Sequence, residues 1–205
     1  MRFREFESIV KDFPLFNLND ICNFAPDFHR RQLHTWTRNG FLRPIAGGYY
    51  VLAERTIDET FLFMAANLIY EPSYVSLESA LAYYQVIPET VLGVTSISSR
   101  KTKEFPSDWG VFQYRSVKRN LMFGYDVVEI NQNEKYKMAK LEKAILDYLY
   151  LNPEINHVID FEGLRWNKDQ LSSKVDPEIF KTYLQIFNKT ALMNRAELLK
   201  EYLNA

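Results

Sequence analysis

Arg30, Arg31, His34 and Arg38 crowd into one short stretch of the N-terminal third. A guanidinium group is always charged and presents a rigid fork of donors, which matches the O6/N7 edge of guanine and the oxygens of a phosphate. On a helix at about 100° per residue, with Phe28 taken as zero, Phe28, Gln32, Trp36, His29 and Leu33 span roughly 0 to 140°. Arg30, His34, Asp27, Arg38 and Arg31 fall at roughly 200 to 300°. One arc is apolar and the other cationic, the division needed by a helix that is anchored in a core and lies in a major groove. Arg30 and Arg31 stand where base edges would be read, Arg38 where phosphate would be held, and His34 is a further donor. His29, on the inner arc, is expected in the core. A solvated helix face that binds nothing is the competing reading of the same pattern.

The surrounding elements would present such a helix. Phe3, Phe6, Ile9, Val10 and Phe13 have helical spacing, ended by Pro14. Asn17 is a candidate cap for a second short helix over 18–23. Ala25-Pro26-Asp27 restarts a third helix that runs to Asn39-Gly40, with Gly40 as its stop. Two short extended runs follow, Phe41-Leu42-Arg43 and Gly48-Tyr49-Tyr50-Val51-Leu52, joined through Pro44-Ile45-Ala46-Gly47. Three helices and a hairpin form the order of a winged helix-turn-helix, expected over 1–53, and Arg43 adds a basic residue to the hairpin.

Beyond it, Thr56-Ile57-Asp58-Glu59 reads as a capping box for a helix to Tyr70, and Ser76 as the cap of a helix over 77–85. The β-branched stretches 91–98, 111–117 and 127–130, with 136–138, predict a mostly antiparallel sheet. Leu141, Ala144, Ile145, Tyr148 and Leu149 are helically spaced. Asp176-Pro177 opens another helix, and a last one carries Leu192, Ala196, Leu199 and Leu203. The expected fold is α+β, with 54–205 as a second, mixed domain with a helical C-terminus.

The formal net charge of the 205 residues is −1, but the charge is unevenly distributed. Residues 26–52 carry four arginines against Asp27 alone. Residues 95–125 carry Arg100, Lys101, Lys103, Arg115, Lys118 and Arg119 against Glu104 and Asp108. The segment between holds Arg55 against six carboxylates, so two basic stretches are available to phosphate in a chain that is nearly neutral. A lone Cys22 and the polar start MRFREF suggest a reducing cytoplasm, and the apolar run 61–70 is too short to span a bilayer.

Enzyme chemistry finds little support. No Gly-Ser pair with Asp-x-Asp, glycine-rich phosphate loop, His-Glu-x-x-His or Gly-x-Ser-x-Gly is present, and one Cys with three scattered His offers no metal-ligand spacing. Neither a catalytic residue, a metal nor a cofactor is expected.

The larger segment contains Tyr74-Val75-Ser76-Leu77-Glu78-Ser79-Ala80-Leu81, Ile87-Pro88-Glu89, Val94-Thr95-Ser96 and Arg100-Lys101-Thr102. Phe112-Gln113-Tyr114-Arg115, Leu121-Met122-Phe123-Gly124-Tyr125 and 141–150 (LEKAILDYLY) follow in order. With the N-terminal module, this series resembles the AbiEi-type antitoxins of type IV toxin–antitoxin (abortive infection) systems. The resemblance implies a DNA-binding N-terminal domain that represses its own operon, through inverted repeats in its promoter. It implies a second domain that counters a nucleotidyltransferase-like toxin, with Ser76, Ser79, Arg100, Lys101, Arg115, Lys143 and Asp147 as candidates for the antitoxin surface. The hairpin tip carries Ala46 where similar sequences often place a basic residue, which leaves Arg43 as the basic candidate there, and the segment after about 152 matches no motif. Taken alone, Ser76 is a helix cap, Gly124 eases a turn, and Lys143 with Asp147 either forms an i, i+4 pair on a helix surface or lines a polar site. A protein-interaction module, or a transcriptional regulator without antitoxin activity, is the alternative.

Overall fold

Reciprocal hydrogen bonds at Asn17 set the entry to the second helix: its Oδ1 accepts from Asn19 N at 2.7 Å, while its own N–H donates to Asp20 Oδ2 at 2.8 Å. This local code recurs through the computed structural model, which describes residues 1–88 and 91–205. Helix α1 spans Phe3–Val10, strand β1 Phe16–Asn17, α2 Leu18–Phe24 and α3 Arg31–Arg38. Strands β2 (Leu42–Pro44) and β3 (Tyr49–Leu52) complete a three-stranded antiparallel sheet in the order β1-β3-β2. Phe6, Phe16, Phe28, Leu33, Trp36 and Leu42 fill a small core of their own. Its rings touch edge to face, tilted or, for Phe6 and Phe28, stacked, with Phe6 and Trp36 centroids 4.7 Å apart.

Helix α3 begins later than the expected restart at Ala25-Pro26-Asp27. The chain first turns, with Phe28 N–H donating to Ala25 O at 3.0 Å, and this turn drives the Phe28 ring into the aromatic core before the helix starts. His29 is exposed in that turn, which corrects its expected place in the core. The end of α3 is as expected. Gly40 adopts φ +75°, Gly40 N–H donates to Thr37 O and Phe41 N–H to Trp36 O, the paired bonds of a left-handed helix stop.

Helix α4 (Glu59–Ile69) is capped by Asp58, whose Oδ1 accepts from Phe61 N–H at 2.8 Å, so the box expected at Thr56 sits two residues too early. Then come β4 (Ser73–Val75), α5 (Leu77–Tyr83), β5 (Gly93–Ser98), β6 (Lys103–Ser107) and β7 (Gly110–Ser116). A 3₁₀ turn at Arg119–Leu121, β8 (Tyr125–Glu129) and β9 (Lys135–Ala139) complete a six-stranded sheet ordered β6-β7-β5-β4-β9-β8. It is mixed rather than mostly antiparallel. Pairs β6–β7, β4–β5 and β8–β9 are antiparallel, but β5–β7 and β4–β9 are parallel. The interposed β6 folds onto the outer edge of β7, so β7 returns beside β5 in the same direction.

Helix α6 (Leu141–Leu151) lies against α5, and after α7 (Val158–Leu164) and α8 (Lys168–Lys174) the helices α9 (Pro177–Phe187) and α10 (Thr190–Asn204) pack on it, with α7 against α10. Asp176 caps α9 as its spacing predicts, with Oδ1 accepting from Glu178 and Ile179 N–H. The two units are not independent beads. Leu15, Ile45, Ala46 and Val51 belong to the larger core, so the β2–β3 hairpin is packed on the second unit although 53–54 marks the change of element. No helix among the described residues is long and apolar enough to cross a membrane.

Candidate nucleic-acid interface

Leu33 and Trp36 bury the inner face of α3, and the opposite face carries Arg31, His34 and Arg38, all exposed. Arg30 stands at the N-cap with helical backbone (φ −48°, ψ −31°), so its side chain extends the same face by one position. Among the described residues none of these three arginines pairs with a carboxylate. The charge is therefore neither neutralised nor desolvated, and it can transfer to phosphate or a base edge at little cost. Thr35 Oγ1 turns inward onto Arg31 O at 3.1 Å and leaves the outer face to the basic residues.

Arg43 does not join them. Its guanidinium donates to the carbonyl of Arg55 and lies 6.0 Å from the centre of the Trp109 ring, half-buried between the two units. The expected hairpin contact to DNA is withdrawn, because Arg43 belongs to an internal joint. Arg55 in turn holds Glu134 through two 2.7 Å contacts, Nη1 to Oε1 and Nη2 to Oε2. The Arg55 hydrogen bond holds the Glu134 carboxyl below its ordinary value, against a burial effect that would raise it. Tyr49 donates from its hydroxyl to Leu68 O at 3.0 Å, and Gly47 (φ +61°) approaches so closely that an added Cβ would stand 3.1 Å from Ile69 Cγ2 and 3.3 Å from Phe105 Cε1.

Four of the candidates for an antitoxin surface lie inside the molecule. Lys143 and Asp147 are both fully buried and joined by a short ion pair, which overturns their reading as a surface pair. Asp147 Oδ2 accepts from Tyr74 Oη and Ser76 Oγ, each at 2.9 Å, and Lys143 Nζ donates to Tyr74 Oη at 2.7 Å. The Nζ also lies 4.9 to 5.2 Å from the ring centres of Tyr74, Phe123 and Phe187. Burial pushes the Asp147 carboxyl up and the Lys143 ammonium down, while their mutual attraction opposes both shifts.

Ser76 occupies the cap position of α5 but spends its hydroxyl on Asp147, so the helix is capped from another strand. Thr95 Oγ1 accepts from Ser79 N–H at 2.9 Å and donates to Ser76 O at 2.8 Å. Ser79 Oγ returns the bond by accepting from Thr95 N–H at 2.9 Å. Ser76, Ser79, Lys143 and Asp147 are thus internal struts, not a surface. Arg115 donates to Leu151 O at 3.1 Å, the carbonyl end of α6. Arg100 and Lys101 alone of the seven are exposed, and Glu89 of the Ile87-Pro88-Glu89 motif lies outside the described residues.

Residue type alone did not single out Tyr70 and Phe105, which carry cations: Arg100 lies 4.2 Å from the Tyr70 ring centre and Lys103 Nζ 4.7 Å from that of Phe105. The aromatic residue two places after Lys103 was the available signal, had β6 been recognised as a strand. Among the described residues no group of three His, Cys, Asp or Glu is placed to hold a metal ion. No family model matches the chain, and a search of the curated proteins finds no match to it.

Proposed function

We propose that the chain is a DNA-binding transcriptional regulator whose N-terminal module is a winged helix-turn-helix with α3 as its recognition helix. The observation that carries this reading is the exposed, unpaired cationic face of Arg30, Arg31, His34 and Arg38 on a helix whose other face is locked into an aromatic core. The order α1, β1, α2, α3, β2, β3 and the antiparallel hairpin after α3 support it further. A helix held this rigidly loses little conformational freedom on entering a groove, so the charge acts mainly on affinity and orientation.

The antitoxin role is the second half of the proposal and rests on the AbiEi-like series of motifs. The regulator represses its own operon from inverted repeats, and its larger domain counters a nucleotidyltransferase-like toxin. Ser76, Ser79, Lys143 and Asp147 hold the frame of that domain, and contacts with the toxin come from exposed side chains.

Titration of the full chain onto its own promoter duplex, at several salt concentrations, tests the first half. Binding that tightens with falling salt and weakens in R30A, R31A and R38A is the expected result, and unchanged affinity in all three overturns the docking mode. Co-expression with a neighbouring nucleotidyltransferase-like toxin tests the second half. Restored growth is expected, and its failure with every such candidate leaves a regulator without antitoxin activity.

A further inference from the structure

A winged helix commonly reaches DNA with its hairpin as well as its recognition helix, yet here the hairpin has no free cation: Ala46 is buried, Gly47 and Gly48 form the tip, and Arg43 is turned inward. The larger unit places charge next to that tip. Arg43 stands against Trp109, the cleft between hairpin and second unit pairs residues 44–50 with 106–108, and Gly47 meets Phe105. The hairpin thus meets the neighbouring segment at Trp109 beside Arg43 and at Phe105 beside Gly47, and Lys103, Lys101 and Arg100 precede Phe105 in the chain.

Strand alternation directs these charges. Lys103 and Phe105 share one face of β6, and Lys103 Nζ covers the ring that Gly47 touches. Glu104 points to the other face, where Gln113 Nε2 donates to it at 2.8 Å. Arg100 lies over the ring of Tyr70, which meets Phe105 edge to face at 5.9 Å, and donates to Glu71 O at 3.1 Å. Lys101 is exposed, and its carbonyl fixes the turn by accepting from Tyr70 Oη at 3.0 Å. Among the described residues the carboxylates closest in sequence are Glu104 and Asp108, and Glu71 meets Arg100 through its backbone carbonyl. None of them is ion-paired with Arg100, Lys101 or Lys103 among the described residues.

We infer that Arg100, Lys101 and Lys103, carried by the second unit on a platform of Tyr70 and Phe105, continue the hairpin beyond its tip and contact the phosphate backbone beside the α3 site. This inference rests on the DNA-binding reading above. The cations of the interface are thus divided between the two units: α3 supplies contacts that can read bases, and the 100–103 turn supplies contacts that carry no sequence information.

Salt titrations of the full chain with its promoter duplex and a scrambled duplex test this. Each lost phosphate contact lowers the slope of log K against log salt by about 1, so K101Q/K103Q should lower it by about 2. Over a fourfold rise in salt, the double variant should lose roughly tenfold less affinity than the wild type loses. The ratio of promoter to scrambled affinity should stay unchanged. K101Q alone, at an exposed side chain, should lower the slope by about 1 and protects the test if loss of Lys103 disturbs packing on Phe105. An unchanged slope in both variants, with R31A still impaired, overturns this inference and leaves the α3 reading in place. Failure of the wild type to bind either duplex overturns both.

Discussion

Helix α3 with its N-cap and helix α6 both carry ionisable residues four apart, Arg30, His34 and Arg38 in one case and Lys143 and Asp147 in the other, and the fold treats them in opposite ways. The charges of α3 stand in solvent without carboxylate partners, whereas those of α6 are sealed from it. Spacing determines which side chains share a face but not where that face points. The surrounding apolar residues decide the direction. Helix α3 has Leu33 and Trp36 on one side only. Around α6, Leu141, Ala144, Ile145, Leu146 and Leu149 are all buried, with β9 and α5 on one flank and α9 and α10 on the other. A helix apolar on nearly every side is enclosed, and any charge it carries must find its partner inside.

Removing one charge from each helix should have opposite consequences in the two places. D147N retains an acceptor and a donor but leaves Lys143 buried without a counter-charge, and it should destabilise the protein by about 3 to 5 kcal/mol. Urea unfolding of D147N, K143M and K143M/D147L checks it. The double apolar variant should be more stable than either single variant, because the orphaned charge rather than the lost pair dominates the cost. Equal and additive losses would show that the two residues do not act as a pair.

The matching change on α3 should move a different observable. R31A is expected to cost about 1 to 3 kcal/mol in promoter affinity while changing stability by no more than about 0.5 kcal/mol, since the side chain is exposed. Binding titrations and thermal melts on the same sample separate the two. A large loss of stability in R31A would place Arg31 among the framework residues and erase the contrast with α6.

Local chemistry made much of this fold legible. Asn17, Gly40 and Asp176-Pro177 set helix ends through bonds to neighbours a few residues away, and each does so at the expected position. What escaped depends on contacts distant in sequence. Strand β4 has only three residues, all buried, and β6 contains Pro106, which an edge strand tolerates but which hides the strand from a pattern search. Helices α7 and α8 are short, each with a single fully buried residue, Phe161 and Leu171, so their periodicity is weak. The cationic face of α3 could be read from a wheel because it is local. The inward turn of Arg43 could not, because its acceptor is a backbone carbonyl and its ring neighbour lies 66 positions away in the chain.

Between these extremes of exposed and sealed charge lies the joint formed by Arg55 and Glu134. The pair links the segment after the hairpin to the β8–β9 connection, with Asn131 Nδ2 donating to Glu134 Oε2 at 2.9 Å and Arg55 lying 5.3 Å from the Phe61 ring centre. Because the folded protein holds the Glu134 carboxyl below its ordinary 4.5, the pair contributes its full stability above that value and loses it as the pH falls through the depressed one. Asp58, nearby and also held below its ordinary value by its cap bonds, likewise loses stability on acidification, so the wild-type curve alone would not isolate Glu134. The difference between wild type and E134Q does, since Asp58 is common to both. E134Q should be less stable at neutral pH by about 1 kcal/mol or less, the range for a partly exposed ion pair, and the two proteins should converge as the pH falls below 4.5. Melting temperatures of both across pH 7 to about 3 measure this. A constant gap at all pH values would mean that Glu134 acts through its neutral hydrogen bonds, and that the joint between the units is held by the packing of Ile45, Ala46 and Val51 rather than by charge.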